Sequence, residues 1–141
     1  MSKFNKVIIV DDEPTSLFIC RKTLELSDLF TDIQTFESPV EALAYLNHIY
    51  LNNVVEEIPS LILVDINMPI MNGWEFIEEF KKLPEDKTKN TVINILSSSD
   101  SEQDIKKAAG IDKITDYISK PLTVEKTKTF PSYLIFNKYS F

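Results

Sequence analysis

Two adjacent aspartates, Asp11 and Asp12, follow directly on the apolar run Val7-Ile8-Ile9-Val10. A third, Asp65, follows Leu61-Ile62-Leu63-Val64; Ser97 follows Val92 to Leu96, and Lys120 comes just after Tyr117-Ile118. Carboxylates gathered in one place repel one another and need compensating positive charge. The chain has one histidine and one cysteine, so the donors on offer are hard oxygens. These suit Mg2+, which keeps several waters and takes only one or two carboxylates directly. With the Lys120 ammonium and the Ser97 hydroxyl added, the set can meet the charge on the equatorial oxygens of a transferring phosphoryl group. One carboxylate can then serve as nucleophile and carry that group as an aspartyl phosphate. Taken singly, each feature has a plainer reading. Asp12 can cap a helix, Ser97-Ser98-Ser99 is an ordinary polar loop, and Lys120-Pro121 is a turn signal. What speaks against four coincidences is that each group stands where an apolar run stops.

The runs themselves predict the elements that must hold these groups. Five recur, at Val7–Val10, Ile33–Phe36, Leu61–Val64, Val92–Leu96 and Tyr117-Ile118. The first and third are unbroken, the pattern of strands covered on both faces of a parallel sheet. The second and fourth are interrupted by Gln34 and Asn94, which predicts less central positions or strand-end placement for those residues. Between the runs lie helical patterns. Leu17, Cys20 and Leu24 share one face of a first helix that opens at Pro14, and Ser38-Pro39-Val40-Glu41 reads as a capped helix start continued by Leu43, Leu46 and Tyr50. Gly73 precedes a third helix with Phe76, Ile77 and Phe80 inward, and residues 101–109 read as a fourth ending at Gly110. Thr123 begins a fifth. Alternating strands and helices imply right-handed crossovers and an α/β sheet wound on both sides. In such a sheet ligands bind at the C-terminal strand edges, where the polar groups stand. The least ordered stretches are expected at 51–59 and 84–90.

Composition narrows the function. A chain of 141 residues fits one domain. Its 22 acidic against 15 basic side chains give a net charge of −7, which argues against a nucleic-acid face. One cysteine excludes an internal disulfide framework and one histidine a multi-histidine metal site. The apolar runs are far shorter than the roughly 20 residues needed to span a bilayer, and the N-terminus lacks a signal-peptide core. The expectation is a soluble, cytoplasmic protein with no membrane contact. Cys20, Trp74 and Phe76 read as packing residues, and His48, alone on the second helix, as a surface or packing residue.

With these pieces in place the sequence resembles a response-regulator receiver domain, of the stand-alone kind typified by the chemotaxis regulator. The matching residues are Val10-Asp11-Asp12-Glu13, Leu63-Val64-Asp65-Ile66-Asn67-Met68-Pro69 with Met71-Asn72-Gly73, Ile95-Leu96-Ser97-Ser98, and Asp116-Tyr117-Ile118-Ser119-Lys120-Pro121. The resemblance runs from about Lys3 to Glu125. It implies a flavodoxin-like sheet of five parallel strands in the order 2-1-3-4-5 with helices on both faces. It also implies Asp65 as phosphoacceptor, Asp12 as a direct Mg2+ ligand, Asp11 acting through bound water, and the Asn67 backbone carbonyl as a further ligand. Ser97 would be the switch hydroxyl, Lys120 the phosphate-contacting lysine, Tyr117 the switch aromatic, and Lys120-Pro121 a cis bond. The protein would catalyse its own aspartyl phosphorylation and dephosphorylation while serving mainly as a signalling switch. Its implied partners are a histidine kinase or phosphotransfer protein as donor and an output protein.

Two other functions compete. A receiver-shaped binding module independent of phosphate would have no physical reason to keep a costly cluster of like charges. A phosphohydrolase of the haloacid-dehalogenase type would place an acid two residues after the nucleophile, where this chain has Asn67. The C-terminus departs from the receiver pattern. Phe130-Pro131 interrupts the fifth helix, so the chain divides into a receiver domain at 1–128 and an aromatic-rich tail at 129–141. Only about 16 residues follow the last matching motif, so output is expected through a partner or onward phosphotransfer. The tail contains Phe130, Tyr133, Leu134, Ile135, Phe136, Tyr139 and Phe141. Either it packs on the fourth helix or on a neighbouring chain, giving a homodimer through the fourth-helix-to-C-terminal region, or it forms a second helical piece from Pro131 with Ile135 and Tyr139 facing the core.

Overall fold

The computed structural model describes residues 3–135. Strands β1 (Phe4–Val10), β2 (Phe30–Phe36), β3 (Leu61–Val64), β4 (Val92–Ser97) and β5 (Ile114–Ser119) form one sheet in the order β2-β1-β3-β4-β5. Every pairing is parallel. This is the five-stranded, doubly wound sheet expected. The unbroken run Leu61–Val64 is buried at every position and lies at the centre. β2, with its interrupted pattern, is an edge strand, and it starts earlier than the apolar run because Phe30 pairs with Phe4 and is itself buried.

β4 corrects the expectation that polar interruption means a peripheral place. All six of its residues are buried, and Asn94 is tolerated because its Nδ2 donates to the Tyr133 hydroxyl at 2.9 Å. A tertiary partner contributed from 39 residues away outweighs the local pattern.

Strand alternation sorts the core into two layers. On one face Ile8, Val10, Ile62, Val64, Ile93 and Ile95 pack against residues of α2 (Pro39–Leu51), α3 (Gly73–Phe80) and α5 (Glu102–Ala109). On the other face Val7, Ile9, Leu61, Leu63, Leu96 and Ile118 meet Leu17, Cys20 and Leu24 of α1 (Pro14–Ser27), together with Phe130 and Leu134. Pro14 opens α1, and the Ser38 hydroxyl caps α2 by accepting from the Glu41 amide at 3.2 Å. Asp12 does not cap α1. The cap position is Glu13, whose amide is taken by the Asp11 carboxylate at 3.0 Å.

Three boundaries differ from expectation. Residues 84–90 contain a one-turn helix, α4 (Glu85–Thr88), and 51–59 contain a 3-10 turn at Val55–Glu57. Gly110 ends α5 with a negative φ of −85°, so no left-handed stop is used there. The last helix, α6 (Val124–Thr127), has only one turn, and a 3-10 turn follows at Phe130–Ser132. The segment then folds back on its own domain. Phe130 is fully buried and Leu134 nearly so, whereas Ile135, expected to face the core, is exposed. The expectations for Phe136, Tyr139 and Phe141 lie outside the described residues. Among those described, no helix is long and apolar enough to cross a membrane.

Candidate functional site

The C-terminal edges of β1, β3, β4 and β5 bring Asp11, Asp65, Ser97 and Lys120 together, as their positions after the apolar runs predict. Asp11 and Asp65 are only 3% and 5% exposed. The Lys120 ammonium bridges them, 2.7 Å from Asp11 Oδ2 and 3.2 Å from Asp65 Oδ2. The Lys120 amide donates to the Ser97 carbonyl at 2.9 Å, and the Lys120-Pro121 bond is cis.

The two aspartates are held unequally. Asp11 accepts from the Glu13 amide at 3.0 Å, the Ser16 hydroxyl at 2.6 Å and Lys120 at 2.7 Å. Asp65 accepts from the Asn67 amide at 3.2 Å and from Lys120 at 3.2 Å. Asp65 is therefore the less engaged carboxylate, with lone pairs free for chemistry. Burial pushes its pKa above the ordinary carboxylate value, and Lys120 and the Asn67 amide only partly offset this. Burial acts against the Lys120 ammonium too, but the hydrogen bond and charge of Asp11, with the charge of Asp65, raise its pKa on balance. Lys120 thus stays protonated and supplies the positive charge the cluster requires.

The carboxylates that lie closest together include one to which the sequence assigns no role. One oxygen each from Asp11, Glu13 and Asp65 lies within 4.8 Å of the others. Asp12, which the resemblance makes a direct ligand, is not among these three, and Glu13 is. Three hard carboxylate donors so spaced fit a small dication. Ser97 is fully buried, and its hydroxyl accepts from the Ser99 amide at 3.1 Å. Tyr117 is half-buried, and its hydroxyl donates to the Ser99 carbonyl at 2.7 Å. One short loop after β4 therefore ties Ser97 to Tyr117.

In the sequence Glu13 belongs to the acidic motif without a role of its own, Ser16 carries no signal, and Gly73 is a helix start within the motif that follows Asp65. A Cβ at Gly73 would lie 2.4 Å from the Asp65 carbonyl oxygen and 2.7 Å from Ile66 Cα. The start of α3 is pinned there by the Gly73 amide to the Ile66 carbonyl at 3.1 Å and by a reciprocal cap between Asn72 and Glu75. Gly73→Ala must push backbone against backbone, which typically costs about 1–3 kcal/mol. We expect a lower urea midpoint and slower labelling at Asp65 from the displaced loop. In the same loop Ile70 is 97% exposed at a φ of 69°, a left-handed conformation that a β-branched residue adopts only under strain.

The comparisons agree with this geometry. A family model described as the response regulator receiver domain matches residues 7–129. Over 124 residues the chain is 32% identical to the sensor histidine kinase CheAY of Helicobacter pylori; the match covers 87% of this chain but only 14% of that protein. The structure of a two component response regulator from Cytophaga hutchinsonii aligns with a TM-score of 0.84 and 32% identity, covering 92% of this chain and 96% of that one. A response regulator receiver protein from Dyadobacter fermentans aligns with a TM-score of 0.76 and 32% identity, covering 89% and 97% of the two chains.

Proposed function

This chain belongs to the response regulator receiver domain family, and on that premise we propose that it acts as a switch in a two-component phosphorelay. A histidine kinase or phosphotransfer protein donates the phosphoryl group, and Asp65 accepts it. The observation that carries this reading is the lightly held Asp65 carboxylate, 3.2 Å from the Lys120 side-chain nitrogen and with few other partners. An Asp65 oxygen attacks phosphorus while the donor's P–N bond breaks, its electron pair remaining on the imidazole. Lys120 shifts from bridging two carboxylates to meeting a phosphoryl oxygen. The Ser97 hydroxyl approaches another, and Tyr117 follows because both are bonded to the Ser99 backbone. That movement changes a protein-binding face.

Bound Mg2+ would neutralise charge between carboxylates and phosphoryl oxygens. The family resemblance assigns it to Asp65, Asp12 and the Asn67 carbonyl, with Asp11 acting through water, and Glu13 stands close enough to share the load. Beside Lys120 a recess of about 350 Å³ is lined by Ile19, Cys20, Leu96 and Leu122 among others, and Phe18 on the same helix is 61% exposed. An apolar surface next to the acceptor supports docking of a donor protein there. The output protein, or a second copy, is placed on the face from α5 to α6, where Ile105 and Val124 are exposed.

Incubation with a small phosphodonor and Mg2+, followed by intact-mass measurement, tests the reading. One added phosphoryl group, removed by mild alkali as an acyl phosphate is, is expected. An unchanged mass after long incubation would overturn it.

A further inference from the structure

The groove between α3 and α5 plays no part in the chemistry above. It has a volume of about 650 Å³, within the range of roughly 300–1,000 Å³ typical of ligand sites. Met71, Trp74 and Ile111 give it an apolar surface, and Glu75, Glu78, Glu79 and Lys107 line it. Trp74 already receives a cation, because Lys107 Nζ lies 4.7 Å from its ring centroid.

The charges are unequal, three acids to one base, and the one base is the cation on the ring. Glu75 gives one oxygen to the Asn72 amide at 3.0 Å. Glu78 pairs with Lys81 at 3.6 Å, and Glu79 pairs with Lys82. Both lysines are well exposed, at 44% and 74%, so these pairs are weak and exchange readily. The groove therefore offers an aromatic face, an apolar floor and carboxylates able to change partners.

We propose that this groove docks a basic, amphipathic segment of a partner protein. An apolar side chain of the segment enters beside Trp74 and Ile111. A Lys or Arg displaces Lys107 from the ring, and further positive charges meet Glu78 and Glu79. An acidic peptide is repelled by the same carboxylates. A second copy fits poorly, since the chain carries a net charge of −7. The interaction is independent of phosphoryl transfer, so it stands or falls separately from the role given to Asp65.

Trp74 is the only tryptophan, so intrinsic fluorescence reads this groove. The test uses the full chain, unphosphorylated and without metal. The probe is a tryptophan-free synthetic peptide of Leu and Lys at helical spacing, with a Leu/Glu peptide as its counterpart. A saturable Trp74 response to the basic peptide, weakened by salt and absent with the acidic one, is expected. The double substitution Glu78→Gln with Glu79→Gln should weaken binding about fivefold. Lys107→Ala should tighten it roughly threefold by freeing the ring, while Lys106→Ala, the same charge lost one residue away from the ring contact, should have a smaller effect. Equal effects of the two lysine variants would reduce the binding to general charge attraction and overturn the proposal. So would no Trp74 response at saturation, or an equal response to the acidic peptide. A Trp74 change that accompanies self-association without peptide would place a second copy in the groove instead.

Discussion

Asp65→Asn should remove the phosphoryl label from the intact mass completely while leaving the fold no less stable. The first half rests on how the carboxylates are engaged. Asp11 cannot substitute as acceptor, because the Glu13 amide, the Ser16 hydroxyl and Lys120 already occupy its two oxygens at 2.6–3.0 Å. Glu13 is exposed at the start of α1, and no contact to Lys120 holds it in place for attack. The second half rests on the charge. Asp65 ionises above the ordinary carboxylate value in the folded chain, chiefly because it is buried. The fold therefore favours its protonated form: that contribution is present below the ordinary carboxylate pKa and lost as pH rises through the folded value. A neutral amide avoids this cost and relieves the repulsion with Asp11. Intact-mass measurement after treatment with a phosphodonor and Mg2+, alongside urea unfolding at pH 7, checks both halves. A phosphoryl group on the same peptide of Asp65→Asn would displace the acceptor from this position. A markedly lower midpoint would mean that the loss of label reports unfolding.

Most of this site is legible in the sequence because it depends on where apolar runs stop. Val10, Val64, Leu96 and Ile118 are all buried in the sheet, and a polar group one or two residues beyond each emerges at the same edge. Position along the strand therefore encodes position in space. The same logic has no hold on side-chain direction within a loop. Asp12 and Glu13 are adjacent on one turn, and it is Glu13 that brings a carboxylate oxygen within 4.8 Å of those of Asp11 and Asp65. Asn94 misleads for a related reason. Alternation within β4 shows a polar residue, but the partner that permits its burial lies on a segment with no periodicity to predict where it lands. Lys6 is a further case. It interrupts β1 yet is only 2% exposed, since Gln34, Tyr45 and Glu57 from three other segments gather around its ammonium.

The unpatterned segment that carries Tyr133 also carries the second large expectation, for a chain ending at Thr129. Because α6 is a single turn, the core face behind α1 is completed by residues 130–134. Phe130 is fully buried and Leu134 is 8% exposed, packed in the same cluster as Val7, Ile9, Leu24 and Leu61. Removing a buried Phe side chain costs about 3–5 kcal/mol, and a buried Leu about 2–5. Tyr133 adds a polar term. Its hydroxyl is the acceptor for Asn94 Nδ2 at 2.9 Å, and Asn94 Oδ1 has no partner among the described residues. Where only the hydroxyl is lost, as in Tyr133→Phe, the whole amide is left buried and unpaired, a penalty of about 1–3 kcal/mol. Against a typical total of about 5–15 kcal/mol for a domain, these losses together take most of the stability. The truncated chain should therefore show little cooperative urea unfolding and weak near-ultraviolet circular dichroism. Tyr133→Phe and Phe130→Ala, which keep the chain long enough to fold, should lower the midpoint in graded steps, the second further than the first. A truncated chain that unfolds at the parent's midpoint would instead make the tail an appendage and put the domain boundary at 128, where the sequence pattern draws it. Light scattering on the same samples separates the two roles of the tail: a parent chain that is monomeric and compact has placed these aromatics in its own core, and not against a neighbour.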